Sequence, residues 1–333
     1  MADFRKQMRD WMCQYKTDTL RVSEQGTWRG RRYPHLLPQH SWVLNLWEGL
    51  CFKAVKHFAQ SRISWHDQKH NLLSSQILCA NIFFPLREHP DLLRLWLSSH
   101  LADVQVVTDL DFEYVGPEDP QDPSGYRNYL NELGGSRGQN RTSADVAITW
   151  RDNKGGTNLL LLEFKFTEPN FGECSRQGNP DRGRCLSSKE IVRSPQTQCY
   201  RAEVGRRYWD IILASGSPFR QDLLTAEAFC PFRYDFYQLM RNQVLAHCVQ
   251  RDPEVNYDKV EFGVMYHADN EKLVDMRKSY DREKDPLKAW RKLLREPGTF
   301  HSFTIQQLLD TIETKLPIDL LDWRRYLKEK YLL

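Results

Sequence analysis

Apolar residues recur at two different periods along the chain, and the change of period separates predicted helices from predicted strands. In the first part of the chain they follow the spacing of one helix face, as Leu44, Trp47 and Leu50 do. This spacing predicts helices over three segments: residues 40–60, 69–84 and 90–101. The second of them is expected to end before Pro85, because proline interrupts a helix. Alternating or continuously apolar runs then predict strands over three further segments: residues 103–115, 144–150 and 158–166.

A short turn connects the second and third predicted strands. Residues 152–156 read DNKGG, which is strong turn chemistry, so the two strands are expected to form an antiparallel hairpin. Residues 168–217 are rich in Gly, Pro, Cys and Arg and predict mostly loop with short helical pieces. A helix over 234–250, a strand over 260–267 and charged helices to the end of the sequence complete the prediction.

Composition is that of a globular protein. The 333 residues are 40% hydrophobic and 12% aromatic, and no stretch has the apolar length of a membrane helix. The charged start of the sequence lacks the apolar core of a signal peptide, so the expected location is the cytoplasm, without membrane contact. In that compartment the eight cysteines are expected to be buried thiols or metal ligands rather than disulfides.

Charge is distributed unevenly, although the formal net charge is only +3. Residues 1–34 are rich in basic side chains, and residues 176–207 are again rich in arginine. Residues 103–122 between them carry acidic side chains and no Lys or Arg, and the plain interpretation of that run is a solvated surface. The basic segments are suited to sequence-independent contacts with a phosphate backbone.

Two carboxylates and a lysine form the pattern that carries chemistry. Asp145 opens the second predicted strand, and Glu163 lies near the end of the third, across the short hairpin. Lys165 follows Glu163 by two positions, so strand alternation puts both side chains on one face. Two adjacent carboxylates suit Mg²⁺, and a neighbouring ammonium can stabilise charge on a phosphate. The alternative is a structural Glu–Lys pair at a strand edge.

These residues resemble the signature of the PD-(D/E)XK nuclease superfamily, an Asp followed by (D/E)xK on the next strand. Here the signature appears as Ser143-Ala144-Asp145 and Glu163-Phe164-Lys165, with Ala144 in place of the usual Pro. The resemblance covers roughly residues 70–268 and is closest to restriction-endonuclease-like bacterial members. It implies Mg²⁺ or Mn²⁺ bound by Asp145 and Glu163, with Lys165 as the catalytic lysine. The first core helix of the superfamily often adds a Glu to the site, whereas the matching helix here offers Gln76 and Asn81. The number of bound metal ions, one or two, is therefore left open.

The expected fold is therefore α/β, with a restriction-endonuclease-like core of order α-β-β-β-α-β, a central mixed sheet flanked by helices, and helical additions at both ends. Residues 1–68 form the basic, helical N-terminal segment, and 69–268 form the nuclease core with a Cys/Arg-rich insertion at 168–230. Residues 269–333 form a helical C-terminal segment, and the whole is expected to be one compact unit.

Further polar residues are candidates for completing the site. The superfamily often carries polar side chains on the helix after the ExK strand, and Gln238, Arg241 and Asn242 occupy that helix at one-turn spacing. We assign Gln238 to catalysis and the other two to nucleic-acid contacts, with a solvent-facing polar stripe as the alternative. Arg137 and Arg141, in the Gly-rich segment before Asp145, are assigned to phosphate binding, with a plain surface loop as the alternative.

Four cysteines lie between the ExK strand and the next long helix. They are Cys174, Cys185, Cys199 and Cys230. Four thiolates can ligate Zn²⁺ or an iron–sulfur cluster. RecB-like exonucleases of the superfamily carry a four-cysteine cluster around the nuclease core, and Cys230-Pro231 resembles the Cys-Pro that often accompanies a cluster ligand. Their spacing is not CxxC, so independent buried thiols are an equally good interpretation.

The leading hypothesis is a Mg²⁺-dependent endonuclease acting on DNA, with a restriction or defence role and a homodimer as one option for its assembly. The preference for DNA over RNA comes from the superfamily rather than from these residues. Two alternatives belong to other classes: a nucleic-acid-binding protein on the same fold that does not cut, and a structural α/β domain of a larger complex. No base-reading motif such as a helix-turn-helix is recognisable in the sequence.

Overall fold

A five-stranded mixed sheet with helices on both faces forms the centre of the protein. The computed structural model describes residues 3–134, 136–174, 188–226, 230–233, 236–274 and 285–333. The strands are β1 (Gly26–Trp28), β2 (Arg31–Tyr33), β3 (Val104–Tyr114), β4 (Ala144–Asp152), β5 (Thr157–Lys165), β6 (Lys259–Tyr266) and β7 (Phe300–Thr304).

The helices before the main sheet are α1 (Phe4–Asp18), α2 (Glu48–Gln60), α3 (Ser75–Arg87) and α4 (Pro90–Ser98). Those between β5 and β6 are α5 (Ser188–Arg193), α6 (Pro195–Gln198), α7 (Tyr200–Glu203), α8 (Tyr208–Leu213), α9 (Gln221–Ala226) and α10 (Tyr237–Arg251). The remaining ones are α11 (Glu271–Val274), α12 (Pro286–Leu293), α13 (Ile305–Ile312) and α14 (Leu321–Tyr331). Short 3₁₀ turns cover Gln39–Asn45, Pro297–Thr299, Glu313–Lys315 and Ile318–Leu320.

The sheet has the order β3-β4-β5-β6-β7 and changes direction at its centre. β3, β4 and β5 pair antiparallel, while β6 and β7 run parallel to β5. The predicted hairpin is confirmed, since Asp152 accepts backbone hydrogen bonds from the turn that leads into β5. The parallel step from β5 to β6 requires a long crossover, and α5–α10 supply it. This architecture is compatible with a restriction-endonuclease-like fold.

Alternate residues of β4 and β5 face two separate apolar clusters. Val146, Leu160 and Phe164 belong to the cluster that also contains side chains of α1, α3, α4, α13 and α14. Ala147 and Leu161 belong to the cluster formed with α8, α10 and α12. Both faces of these strands are therefore covered, as the nearly continuous apolar sequence of β5 predicts. Side chains alternate between the two faces of a strand, and the odd-numbered positions Ala147 and Leu161 face the α10 side. The side chains of Asp145, Glu163 and Lys165, also at odd-numbered positions of β4 and β5, therefore point toward the same side.

Helix α3 continues through Pro85, so the prediction that it ends before this residue was wrong. A proline removes the hydrogen bond to the carbonyl four residues earlier, which here is Asn81. The indole Nε1 of Trp323 donates to that carbonyl at 2.7 Å and satisfies it. A residue of α14, distant in sequence, thus allows the helix to extend to Arg87.

The terminal segments contain strands that the hydrophobic pattern did not predict. β1 and β2 form a hairpin in the N-terminal segment, where Arg29 (φ 47°) and Gly30 (φ 75°) supply the left-handed turn. β7 lies in the C-terminal segment that was expected to be helical, and it pairs with β6 along five residues. The expected helix over residues 40–60 is divided into a 3₁₀ turn and α2, and Phe52 is 79% exposed on α2. Within the described residues, the longest apolar helices are all too short to cross a membrane.

Candidate active site

Asp145 and Glu163 occupy adjacent positions on the hairpin. β4 and β5 pair Val146 with Leu162, so the next opposed positions in the antiparallel register are Asp145 and Glu163. Oδ2 of Asp145 accepts the backbone N–H of Phe164 at 2.6 Å, which fixes this carboxylate at the end of the ladder. The short hairpin therefore brings the two acids of the sequence motif together.

Lys165 lies on the same face and contacts Glu163 directly. Its Nζ is 2.8 Å from Oε1 of Glu163 and donates to Oε1 of Gln238 at 2.7 Å. Only 5% of the residue is exposed. Burial acts to lower the pKa of Lys165, but the carboxylates of Glu163 and Glu168 outweigh it, and the net pKa lies above the ordinary lysine value. The side chain is therefore an ammonium at neutral pH.

Helix α10 supplies two amides to this cluster. Asn242 donates to Oε2 of Glu163 at 2.7 Å, and Gln238 accepts from Lys165. The position of Gln238 requires a glycine in the facing loop, because a Cβ on Gly172 would lie 2.7 Å from Oε1 of Gln238. Oδ1 of Asn242 is buried and has no hydrogen-bond partner among the described residues. The α10 amides thus hold both members of the Glu163–Lys165 pair.

Arg241, on the same helix, belongs to a neighbouring polar network. Its Nε donates to Oγ1 of Thr142 at 2.8 Å, and its Nη2 is 3.3 Å from Oε1 of Glu132. Glu132 also accepts hydrogen bonds from the Thr142 amide and the Tyr208 hydroxyl. Arg241 reaches the wall of the site, but these contacts fix its guanidinium in place.

A third carboxylate, Glu113, was missed by the sequence analysis. It lies at the end of β3, and although the acidic run at 103–122 was expected to be solvated, Glu113 is only 3% exposed. Gln76 donates to its Oε1 at 2.7 Å and Ser143 to its Oε2 at 2.7 Å. The backbone of Glu113 is left-handed, with φ 48°, a conformation found at strained functional positions. In the observed register, the pairing of Tyr114 with Ala144 puts Glu113 opposite Asp145.

Negative charge accumulates around Asp145. Burial raises the pKa of the Asp145 carboxyl well above the ordinary aspartate value, and Glu163 and Glu113 raise it further. Lys165 and the Phe164 amide lower it, but they do not compensate. The three acids are therefore close enough to repel one another electrostatically.

These groups line one cavity of about 420 Å³, called the active cavity below. Its walls include residues of β3, β4, β5 and α10 and of the loop after β5. The polar residues on its wall are His66, Ser75, Glu113, Arg141, Thr142, Ser143, Asp145, Glu163, Lys165, Glu168, Asn170, Gln238, Arg241 and Asn242. Its volume lies within the range of ordinary ligand sites.

A comparison with protein families matches residues 10–332 to the family described as "Restriction Endonuclease associating with ARP". The chain belongs to this family. Membership indicates a nuclease or a defence role. No curated protein and no solved structure matches the chain.

In this family member the two basic residues before Asp145 have structural contacts. Arg137 is buried away from the active cavity and donates to the carbonyls of Glu113 and Phe112 and to the Asp111 carboxylate. Arg141 lines the active cavity, but its guanidinium donates to Ser124 Oγ and to two backbone carbonyls of the same loop. Neither guanidinium is left without a protein partner.

Of three further polar residues in this endonuclease-family chain, Gln76 and His66 lie beside the candidate site and Asn81 lies in the core. Gln76 reaches the site through Glu113, and His66, about half exposed, has its Nε2 3.8 Å from Oε1 of Glu113. Asn81 points elsewhere, donating to the hydroxyls of Tyr326 and Tyr331. Helix α3 thus contributes an amide rather than an acid.

Three of the four insertion cysteines can be located, and Cys185 lies outside the described residues. Cys230 belongs to the apolar cluster on the α10 side, and Cys174 and Cys199 pack against it. Burial raises the pKa of the Cys199 thiol, and Cys174 contributes to the shift. Among the described residues, no three His, Cys, Asp or Glu side chains are already arranged as a metal site.

Proposed function

We propose that the chain is a metal-dependent nuclease of the PD-(D/E)XK type that hydrolyses phosphodiester bonds in DNA. Asp145 and Glu163 are the proposed metal ligands, and Lys165 is the proposed catalytic lysine. One observation carries the proposal: these three side chains converge on one cavity, with Lys165 Nζ 2.8 Å from Glu163. A buried Glu–Lys pair beside a second buried acid is costly to maintain, which favours a chemical role over a structural one.

The donor set fits a hard divalent cation such as Mg²⁺ or Mn²⁺. Burial and the neighbouring carboxylates of Glu163 and Glu113 raise the pKa of Asp145, and a cation between these acids would remove their repulsion. One oxygen of Glu163 is engaged by Lys165 and the other by Asn242. A partly hydrated ion held by Asp145 and Glu163 suits this arrangement better than a closed protein cage, because Mg²⁺ keeps several waters. Glu113 is the proposed further ligand if two ions bind.

The chain's own residues have separate proposed tasks. When bound, the metal would neutralise charge on the scissile phosphate and lower the pKa of an attacking water. The Lys165 ammonium stabilises negative charge that develops on the phosphate. Gln238 orients this ammonium, because its Oε1 accepts a 2.7 Å hydrogen bond from Lys165 Nζ. Asn242 orients the Glu163 carboxylate from the opposite side.

DNA as the substrate, and a restriction or defence role, are proposed on the family's description as a restriction endonuclease. Three further parts stay predictions: cutting within strands, a homodimer, and a Zn²⁺ or iron–sulfur site at the insertion cysteines. The fixed guanidiniums of Arg137 and Arg141 favour a role in shaping the loop before Asp145. Arg241 and Asn242 remain the α10 residues proposed to face a phosphate.

Cleavage of supercoiled plasmid in Mg²⁺ or Mn²⁺ tests the proposal. The purified protein is expected to nick or linearise the plasmid, and Asp145→Asn is expected to abolish this, since one metal ligand loses its charge. Asp91→Asn is the matched control, because Asp91 is an exposed aspartate on α4 outside the active cavity. Full activity of Asp145→Asn would reject the site, and DNA binding by an inactive wild-type protein would favour the non-cutting alternative.

A further inference from the structure

A second cavity, called the N-terminal cavity below, lies beside the active cavity. Its volume is about 560 Å³, which is large enough for a small organic ligand. The two cavities share part of their wall: His66, Ser75, Glu168 and Pro169. A polymer that passes over the shared wall would therefore contact both cavities.

Aromatic rings form one part of the N-terminal cavity. Trp28 ends β1, Tyr33 ends β2, and His35 lies two positions after Tyr33, so the small hairpin and the segment after it present all three to the same space. Each of the three is only partly buried. Tyr33 and His35 pack edge to face, with ring centroids 5.9 Å apart. Nδ1 of His35 is buried without a hydrogen-bond partner among the described residues.

Two arginines add positive charge to this wall, which also includes neutral polar residues and the carboxylates of Asp67 and Glu168. Arg5 and Arg9 lie one turn apart on α1, and both side chains are exposed. Within the described part of the chain, neither makes an ion pair, in contrast to the guanidiniums of Arg137 and Arg141. Arg29, on the hairpin but outside the cavity lining, is exposed and has its guanidinium 5.7 Å from the Trp28 ring centroid. The charges here are thus available to an external anion.

Free cations beside partly exposed rings are the chemistry that holds unpaired nucleotides. Bases stack on aromatic faces whatever their sequence, and arginines bind the phosphates between them. Paired bases cannot do this, because their faces are already stacked within the duplex. An aliphatic ligand would leave the arginines without partners, and an isolated anion would leave the rings unused.

We propose that the N-terminal cavity binds an unpaired nucleotide of the DNA strand whose neighbouring phosphate lies in the active cavity. The proposal rests on the proposed function, because it takes DNA as the polymer in the active cavity. It adds a substrate class: single-stranded DNA, or a duplex with a frayed end, is bound in preference to intact duplex. Trp28 and Tyr33 stack on the base, and Arg5 and Arg9 bind adjacent phosphates.

Binding in EDTA tests this without cleavage. Fluorescence anisotropy would compare the full-length protein on a labelled single strand and on the blunt duplex of the same sequence. Trp28→Ala is expected to weaken single-strand binding roughly 5-fold to 150-fold, the effect of losing one stacked base, and to change duplex binding less than twofold. Phe52→Ala is the matched control, because Phe52 is an exposed aromatic residue that lines neither cavity.

A second variant avoids the hairpin, in case Trp28→Ala affects folding. The double variant Arg5→Gln/Arg9→Gln removes two charges from the exposed face of α1. It is expected to reduce the slope of log affinity against log salt by about 1.4 on the single strand, since two phosphate contacts are lost. Arg94→Gln/Arg325→Gln removes the same charge from exposed positions outside the N-terminal cavity and is expected to preserve the slope.

The outcomes separate this inference from the proposed function. Equal losses on single strand and duplex, or unchanged binding by both cavity variants, would overturn the inference even if the wild-type protein cuts plasmid. Selective loss on the single strand, together with no plasmid cleavage in any metal, would support the inference while rejecting the nuclease. A wild-type protein that neither binds nor cuts DNA would overturn both.

Discussion

Two buried lysines, Lys165 in the active cavity and Lys330 on α14, show how differently this protein treats the same side chain. Lys165 faces the Glu163 carboxylate at 2.8 Å, and its pKa is raised. Lys330 is fully buried and donates to the carbonyl and Oδ1 of Asn45 and to the Tyr326 hydroxyl. Within the described residues no carboxylate pairs with Lys330, and burial lowers its pKa well below the lysine value.

Burial by itself therefore does not identify a catalytic lysine. Desolvation disfavours both ammonium groups, and only a neighbouring carboxylate reverses the effect. Lys330 is held by carbonyl oxygens and by the rings of Tyr15, Tyr326 and Tyr331, within 6.0 Å of each ring centroid. It connects α1, α14 and the segment before α2. Lys165 is therefore a charged group paired with a carboxylate, as the proposed catalytic role requires, whereas Lys330 is a packing contact without a carboxylate partner among the described residues.

The largest expected difference between the two lysines is in cleavage. Lys165→Met is expected to lower the rate of plasmid cleavage by about 10²-fold to 10³-fold, the usual effect of removing a charge-stabilising donor. Lys330→Met removes the same charge from the other region and is expected to preserve the rate within about twofold, since it does not touch the active cavity. Initial rates in saturating Mg²⁺ would be measured, and equal losses in both variants would remove the distinction.

A smaller effect on cleavage is expected from Asn242→Ala, which removes the amide that contacts Glu163, the ion-pair partner of Lys165. Removing this amide leaves one oxygen of Glu163 without its 2.7 Å hydrogen bond. Cleavage or metal affinity is expected to fall roughly 10-fold to 100-fold, as for other residues that orient a ligand. The rate would be measured against Mg²⁺ concentration, with the adjacent Gln243→Ala as control because Gln243 does not line the active cavity. Identical metal curves for the two variants would contradict the role of Asn242.

The smallest expected effect is a pH dependence of stability. The pKa of Lys330 is lowered in the folded protein, while the unfolded chain has the ordinary lysine value of 10.5. Between these two values the unfolded chain binds one more proton, so this group makes the free energy of unfolding rise with pH. Lys330→Met lacks that contribution and no longer buries an ammonium, so the variant is expected to be equally or more stable at neutral pH, by up to a few kcal/mol.

Denaturant unfolding from neutral pH toward pH 10 would measure this difference. The advantage of Lys330→Met over the wild-type protein is expected to shrink as the pH rises, because unfolding of the wild-type protein requires Lys330 to take up a proton, which becomes less favourable at higher pH. A difference that does not vary with pH, or a loss above about 2 kcal/mol in the variant, would show that Lys330 is stabilised by its contacts as an ordinary charged group. Lys165→Met offers a contrast, since a raised pKa stabilises the fold below 10.5 and loses that effect at higher pH.

The central part of the fold follows from local patterns in the sequence. Alternating and continuously apolar runs, together with the DNKGG turn, predict β3, β4, β5 and the β4–β5 hairpin within one or two residues of the observed bounds. The parts that were missed depend on distant partners. Pro85 remains inside α3 because Trp323 satisfies the freed carbonyl, and β7 is a strand because β6 offers it an edge. Neither partner is visible in the local sequence.

The candidate site likewise has one part that the local sequence predicts and another part that depends on contacts between distant segments. Strand alternation is sufficient to put Glu163 and Lys165 side by side, because their relation is set by two residues of one strand. Glu113 belongs to another strand, and its left-handed backbone breaks the alternation that would have been needed to assign its face. Arg137 was interpreted as a phosphate contact, since nothing in a Gly-rich segment reveals that three oxygens of β3 occupy it.

The contact between α1 and α14 has a consequence for synthesis of the protein. The indole of Trp11 donates to the carbonyl of Lys330, 319 residues later in the chain, and Met8 and Met12 pack in the same cluster as Trp323 and Tyr331. α1 also carries Arg5 and Arg9 of the N-terminal cavity. On the ribosome, β3, β4 and β5 are synthesised long before α14. The contacts that hold α1, and with it Arg5 and Arg9, against α14 can form only after residue 331 has been synthesised.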